Sequence, residues 1–132
     1  MRNIPEELKN SIIDAFPKDN TLAIIIFGSY GTDKQTLDSD IDIAWVPMKK
    51  VPIIELAVKT EALRKILEID VDLKIVTDNY TITLRKAIFE GDVIYESKDF
   101  RDYLNYFYFE NSDVIDILDW REMYGNKKDN QL

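Results

Sequence analysis

Six consecutive apolar residues, Leu22-Ala23-Ile24-Ile25-Ile26-Phe27, form the longest wholly apolar run in the chain, and they stop at Gly28-Ser29. The run is far short of the roughly 20 residues that span a bilayer. Its β-branched content and abrupt glycine stop predict a buried strand over Thr21–Phe27. After ten intervening residues Ser29 is followed by Asp40-Ile41-Asp42, where Ile41, Ile43 and Trp45 alternate with Asp40, Asp42 and Ala44. That alternation predicts a second strand.

The remaining pattern alternates helix and strand. Pro5–Phe16 is expected to be helical, with Ile4, Leu8, Ile12, Ile13 and Phe16 on one side and a proline at an early position. Pro52 is expected to open a helix to about Glu68, in which Ile53, Leu56, Ala57, Leu63, Ile66 and Leu67 recur at helical spacing. Asp70–Val76 returns to strand alternation, Thr81–Glu90 reads as a helix stopped by Gly91, and Val93-Ile94-Tyr95 reads as a short edge strand. Ser97 and Ser112 are the expected N-caps of two closing helices, Lys98–Glu110 and Asp113–Tyr124, the second ended by Gly125.

The expectation is a single α/β (α+β) domain over residues 1–132, with a core at 21–96, C-terminal helices at 98–124 and a frayed tail at 126–132. A chain of 132 residues suits one domain that needs no staple. The chain has no cysteine and no histidine, which excludes a disulfide scaffold, a Cys/His zinc site, a thiol nucleophile and a Ser-His-Asp triad. Chemistry here must run on carboxylates, hydroxyls, Lys/Arg and bound ions.

The formal charge is −8, and the segment Glu90–Glu122, with ten acids against three bases, holds −7 of it. So acidic a chain is not expected to grip nucleic acid directly, because that grip depends on Lys and Arg. The acidic segment reads either as a solvated helix face or as a docking surface for a basic partner. The aromatics Phe100, Tyr103, Tyr106, Phe107, Tyr108, Phe109, Trp120 and Tyr124 read chiefly as core, with Tyr106 or Phe109 as the interface candidates. The N-terminus Met1-Arg2-Asn3-Ile4-Pro5-Glu6-Glu7 offers no apolar signal segment, so a cytoplasmic, membrane-free location is expected.

The candidate site is the pairing of Gly28-Ser29 with Asp40-Ile41-Asp42. Alternate strand residues share a face, so Asp40 and Asp42 lie side by side, roughly 6.6 Å apart along the chain. Two carboxylates that close repel unless a cation lies between them, and aspartate oxygens suit Mg²⁺ shared with substrate phosphates. Gly28 has no Cβ and lets a phosphate approach the backbone. Ser29 adds a hydroxyl, and amides of a turn leading into a helix favour anions. A third carboxylate, Asp72, would complete a two-metal site if its strand lies beside that of Asp42. Asp70 is its rival on the same face, and its place at the strand entrance favours a cap or turn role.

This arrangement resembles the signature of the nucleotidyltransferase (DNA polymerase β-like) superfamily, and the small size is similar to its minimal branch, the MntA-type antitoxins paired with HEPN-domain RNase toxins. The resemblance covers Thr21 to about Val76 by motif and extends more weakly through Glu90-Gly91-Asp92-Val93-Ile94-Tyr95. It implies a nucleotidyltransferase fold, a small mixed sheet flanked by helices. It further implies two Mg²⁺ ions, ATP as substrate and transfer of AMP to a hydroxyl. In that scheme Gly28 and Ser29 bind the nucleotide's β/γ-phosphates, Asp40 and Asp42 hold metal, and Asp72 holds metal and activates the acceptor. Many relatives carry a basic residue shortly after Gly-Ser; here Tyr30-Gly31-Thr32 stands there, with Lys34 as the nearest substitute.

The leading functional expectation is therefore the antitoxin of a type VII-like pair, which modifies a tyrosine hydroxyl of its HEPN toxin with AMP and forms a hetero-oligomer with it. The alternatives are a small-molecule nucleotidyltransferase of the aminoglycoside-modifying kind and an antitoxin that acts by binding alone. Arg121 is unassigned.

Overall fold

The structure is a computed structural model that describes residues 3–36 and 40–125, the side chains of 124 and 125 excepted. The expected frayed tail at 126–132 lies outside the described residues.

Four strands form one mixed sheet: β1 (Ala23–Phe27), β2 (Ile41–Val46), β3 (Val71–Ile75) and β4 (Asp92–Glu96), in the order β3-β2-β1-β4. β1 runs antiparallel to both β2 and β4, while β2 and β3 are parallel. β4 is an edge, as the short Val93-Ile94-Tyr95 run predicts. Among the described residues, five α-helices accompany the sheet: α1 (Glu6–Asp14), α2 (Ile54–Leu67), α3 (Ile82–Phe89), α4 (Phe100–Glu110) and α5 (Ser112–Trp120). Among the described residues, no helix is long and apolar enough to cross a membrane.

The strand period of two divides the core in two. Ile24, Ile26, Ile41, Ile43, Trp45 and Leu73 face one layer, where they meet Ile12 and Phe16 near α1 and Leu63 and Leu67 of α2. Ala23, Ile25, Ala44, Val46 and Val76 face the other, where they meet Ile88 and Phe89 of α3, Phe100 and Phe107 of α4, and Ile115 of α5. The central strands are thus covered on both faces, which is why the Leu22–Phe27 run is continuously apolar. Trp45 is buried with its one polar atom satisfied: its Nε1 donates to Thr21 Oγ1 at 3.1 Å, and that hydroxyl donates to the Pro17 carbonyl at 2.5 Å.

Three sequence expectations are corrected. Ser97 does not cap α4; its N–H donates to the Leu22 carbonyl and its own carbonyl accepts from Phe100 N–H, so its backbone serves the sheet and its hydroxyl is buried. Ser112 is the first residue of α5 rather than its cap. Asn111 does the joining: its amide donates to the Phe107 carbonyl at 2.8 Å while its own carbonyl accepts from Ile115 N–H, so α4 runs into α5 without a loop. In α2 only Leu63 and Leu67 are buried, with Leu56 packed partly against them, whereas Ile53, Ala57 and Ile66 are exposed. Ile66 and Ala57 stand about 80–100° around the helix from that stripe, beyond the reach of the sheet. α5 also continues beyond Trp120 as a π-helical turn, Arg121–Gly125.

Candidate active site

The chain reverses between β1 and β2 so that the end of one strand meets the start of the next. Phe27 is the register partner of Asp42, and Gly28 follows at once. Gly28 has φ +76°, and a Cβ placed there would collide with the Asp42 carboxylate. Both facts demand glycine: the left-handed backbone disfavours any side chain, and the space beside the peptide belongs to Asp42.

The segment after Gly28 is a set of interlocking turns. Thr32 donates from its N–H at 3.0 Å and its hydroxyl at 2.5 Å to the Ser29 carbonyl. Gly31 N–H donates to Gln35 Oε1 at 2.7 Å, and Gly31 also has φ +78°. The expected turn leading into a helix is not found among the described residues; 28–34 are turns and bends. Lys34 is exposed on the loop.

β3 lies beside β2 in parallel register, with Asp72 level with Asp42. Because strand alternation puts partners on the same face, the two carboxylates stand close enough to influence each other's charge. The Asp42 carboxyl is held above the usual aspartate range, chiefly by burial, then by the charge of Asp72, with a smaller push from Asp40. Lys74 opposes this; its ammonium pairs with Asp72 Oδ2 at 3.6 Å. Asp40 stands exposed just before β2. Among the described residues no group of three or more acids is close enough to enclose a metal ion. Asp70 is occupied elsewhere: its carboxylate faces Arg64 Nη2 at 3.4 Å, and its carbonyl accepts from Ile41 N–H.

The residues fit a hard divalent cation in their donor chemistry. Asp42 and Asp72 offer neighbouring carboxylates whose mutual repulsion a cation would relieve, Asp40 stands within electrostatic reach, and Gly28 makes room for the Asp42 carboxylate. Lys74 is the neighbour that the sequence reading passed over. The signal was present, since it is two residues after Asp72 on the same strand and so shares its face.

Known proteins resemble the chain along the same stretch. The profile of the family described as "Polymerase beta, Nucleotidyltransferase" matches residues 10–100. A protein of Methanocaldococcus jannaschii, named as a candidate protein adenylyltransferase, is 33% identical over 95 residues, covering 72% of this chain and 96% of the relative. Among solved structures, a chain of a toxin–antitoxin complex with AMP-PNP aligns with TM-score 0.58 at 24% identity, covering 83% of this chain and 97% of the other. A chain of the tri-AMPylated Shewanella oneidensis HEPN toxin in complex with its MNT antitoxin aligns with TM-score 0.54 at 23% identity, covering 86% and 97%. At these identities the structural likeness is one of fold.

Proposed function

The chain belongs to the polymerase beta nucleotidyltransferase family, and on that premise we propose that it is the antitoxin of a type VII-like pair, transferring AMP from ATP to a tyrosine hydroxyl of a HEPN-domain RNase toxin and so neutralising it. ATP as donor puts the reaction in the cytoplasm. The observation that carries the reading is the level placement of Asp42 and Asp72 on adjacent parallel strands, beside a glycine whose missing side chain makes room for the Asp42 carboxylate. The named relative and the toxin–antitoxin complexes, one with AMP-PNP and one with an AMPylated toxin, support the choice of donor and partner.

Gly28 and Ser29 would receive the β- and γ-phosphates, Gly28 through its backbone and Ser29 through its hydroxyl. Asp40, Asp42 and Asp72 would hold Mg²⁺. When bound, the ions neutralise phosphate charge and lower the pKa of a coordinated hydroxyl. The acceptor oxygen attacks the α-phosphorus, the new P–O bond forms as the bond to the bridging oxygen breaks, and pyrophosphate leaves. Asp72 lies on the outer strand of the pair, β3, where its carboxylate can take the acceptor's proton. No histidine is required, which suits a chain that has none.

The test is to incubate the chain with labelled ATP, Mg²⁺ and the HEPN protein with which it pairs. The wild type is expected to label the toxin and to suppress its RNase activity. Asp40→Asn with Asp42→Asn is expected to slow labelling by about 10²–10³-fold or more, in the range seen when transition-state charge stabilisation is removed. Labelling that survives in the double variant would overturn the assigned chemistry. Suppression that survives loss of all three aspartates would show neutralisation by binding alone, and labelling of a small hydroxylated acceptor in preference to the toxin would favour the small-molecule reading.

A further inference from the structure

The carboxylate group contains a cation of its own. Lys74 stands one pleat beyond Asp72 on β3, level with Ala44 of β2, and its side chain turns back to bring the ammonium to 3.6 Å from Asp72 Oδ2. Its charge also reaches Asp42. The side chain is 30% exposed, so it is sheltered enough for the charge to be felt and open enough to move.

An ammonium and a divalent cation drawn to the same carboxylates repel each other and compete for their charge. We propose that Lys74 is a tethered counter-ion: it holds the Asp42–Asp72 pair until a divalent cation takes those oxygens, and it then turns to a phosphate oxygen of the nucleotide. The inference rests on the nucleotidyltransferase reading of this site. It makes cation and nucleotide binding mutually dependent. The cation alone must displace an ammonium that gains nothing in return, whereas the triphosphate gives that ammonium a new partner. Such coupling is reciprocal by linkage.

The two affinities should therefore respond to Lys74 in opposite directions. Calorimetric titrations would compare wild type, Lys74→Met, Lys74→Gln and Lys74→Arg, first with Mn²⁺ alone and then with AMP-PNP in excess Mg²⁺. Removing the charge is expected to tighten Mn²⁺ binding by about five-fold, because a like charge a few ångströms away is gone. It is expected to weaken AMP-PNP binding by about ten-fold through loss of a charge-assisted contact. Lys74→Arg keeps the charge and should stay within about two-fold of wild type in both. Thermal melts confirm that the variants are folded, and Lys74→Gln provides a polar alternative if Lys74→Met is not.

Affinities that do not move, or that move together, would overturn the counter-ion role while leaving the nucleotidyltransferase reading intact. A wild type that binds no AMP-PNP would overturn both.

Discussion

Gly28 and Asp42 illustrate how closely the candidate site is drawn around single atoms. The glycine has left-handed backbone, and the space where its Cβ would be is filled by the Asp42 carboxylate. Gly28→Ala is therefore expected to destabilise the fold by about 1–2 kcal/mol from backbone strain alone. It should also displace Asp42, so that AMP transfer falls much further than the population of folded protein. Thermal melts set beside a labelling assay check this, and parallel losses would show that the glycine matters for folding alone. The identity of the residues at this site was legible in the sequence, because Gly-Ser after an apolar strand and Asp-x-Asp at the start of the next are both local patterns. That Gly28 must clear the Asp42 side chain was not legible, since the two are neighbours only through strand pairing.

At the level of elements, helix ends decide more than helix middles. α2 ends at Glu68, a non-glycine residue with φ +58° whose N–H donates to the Arg64 carbonyl at 2.8 Å. Glycine is the usual occupant of that conformation because it has no Cβ to strain. Glu68→Gly is expected to raise stability by about 0.5–1 kcal/mol, read as a higher denaturant midpoint at unchanged slope. At the other kind of end, Thr81 caps α3 by accepting from Leu84 N–H at 3.1 Å. The sequence reading placed a helix start there, yet its two serine caps further on were misplaced. Ser97 and Ser112 have suitable side chains, but Ser97 is committed to pairing with Leu22, and Asn111 joins α4 to α5 before Ser112 can serve. A cap is a local preference; at Ser97 it is overridden by a long-range contact with Leu22, and at Ser112 by the neighbouring Asn111.

On the scale of the whole molecule, the acidic surplus is only partly a free surface. Lys86 of α3 is buried, and its ammonium meets Glu90 at 2.5 Å, Asp119 of α5 at 2.9 Å and Glu122 of the π-helical turn at 3.8 Å. The hydrogen bond to Glu90 is the main influence holding its pKa above the ordinary lysine range; burial opposes it, and Asp119 adds to it. Lys86→Met is expected to cost about 2 kcal/mol and to loosen α5 from α3. The sign with pH follows from the raised folded-state value. The stabilisation is complete below the unfolded lysine pKa, about 10.4, and is lost as pH rises from there towards the folded value. The gap in stability between wild type and variant should therefore be full at neutral pH and narrow in strongly alkaline buffer. Equilibrium unfolding at pH 7 and above pH 10.5 checks it, and an equal gap at both would remove the ion pair as its cause. The aromatics divide likewise: Phe100 and Phe107 are buried, while Tyr106, Phe109 and Trp120 are 67%, 79% and 60% exposed.

The sequence by itself determined the element types and the faces of each strand, because period-two and helical periodicities are properties of neighbouring residues. It also singled out Gly28, Ser29, Asp40, Asp42 and Asp72, since each stands in a short pattern. Tertiary structure alone decided that β3 joins β2 in parallel with Asp72 level with Asp42, and that Asp70 is taken by Arg64. It decided as well which apolar residues of α2 are covered. Register between strands separated by a helix depends on the packing of the layers as a whole, and no local window of residues contains that information.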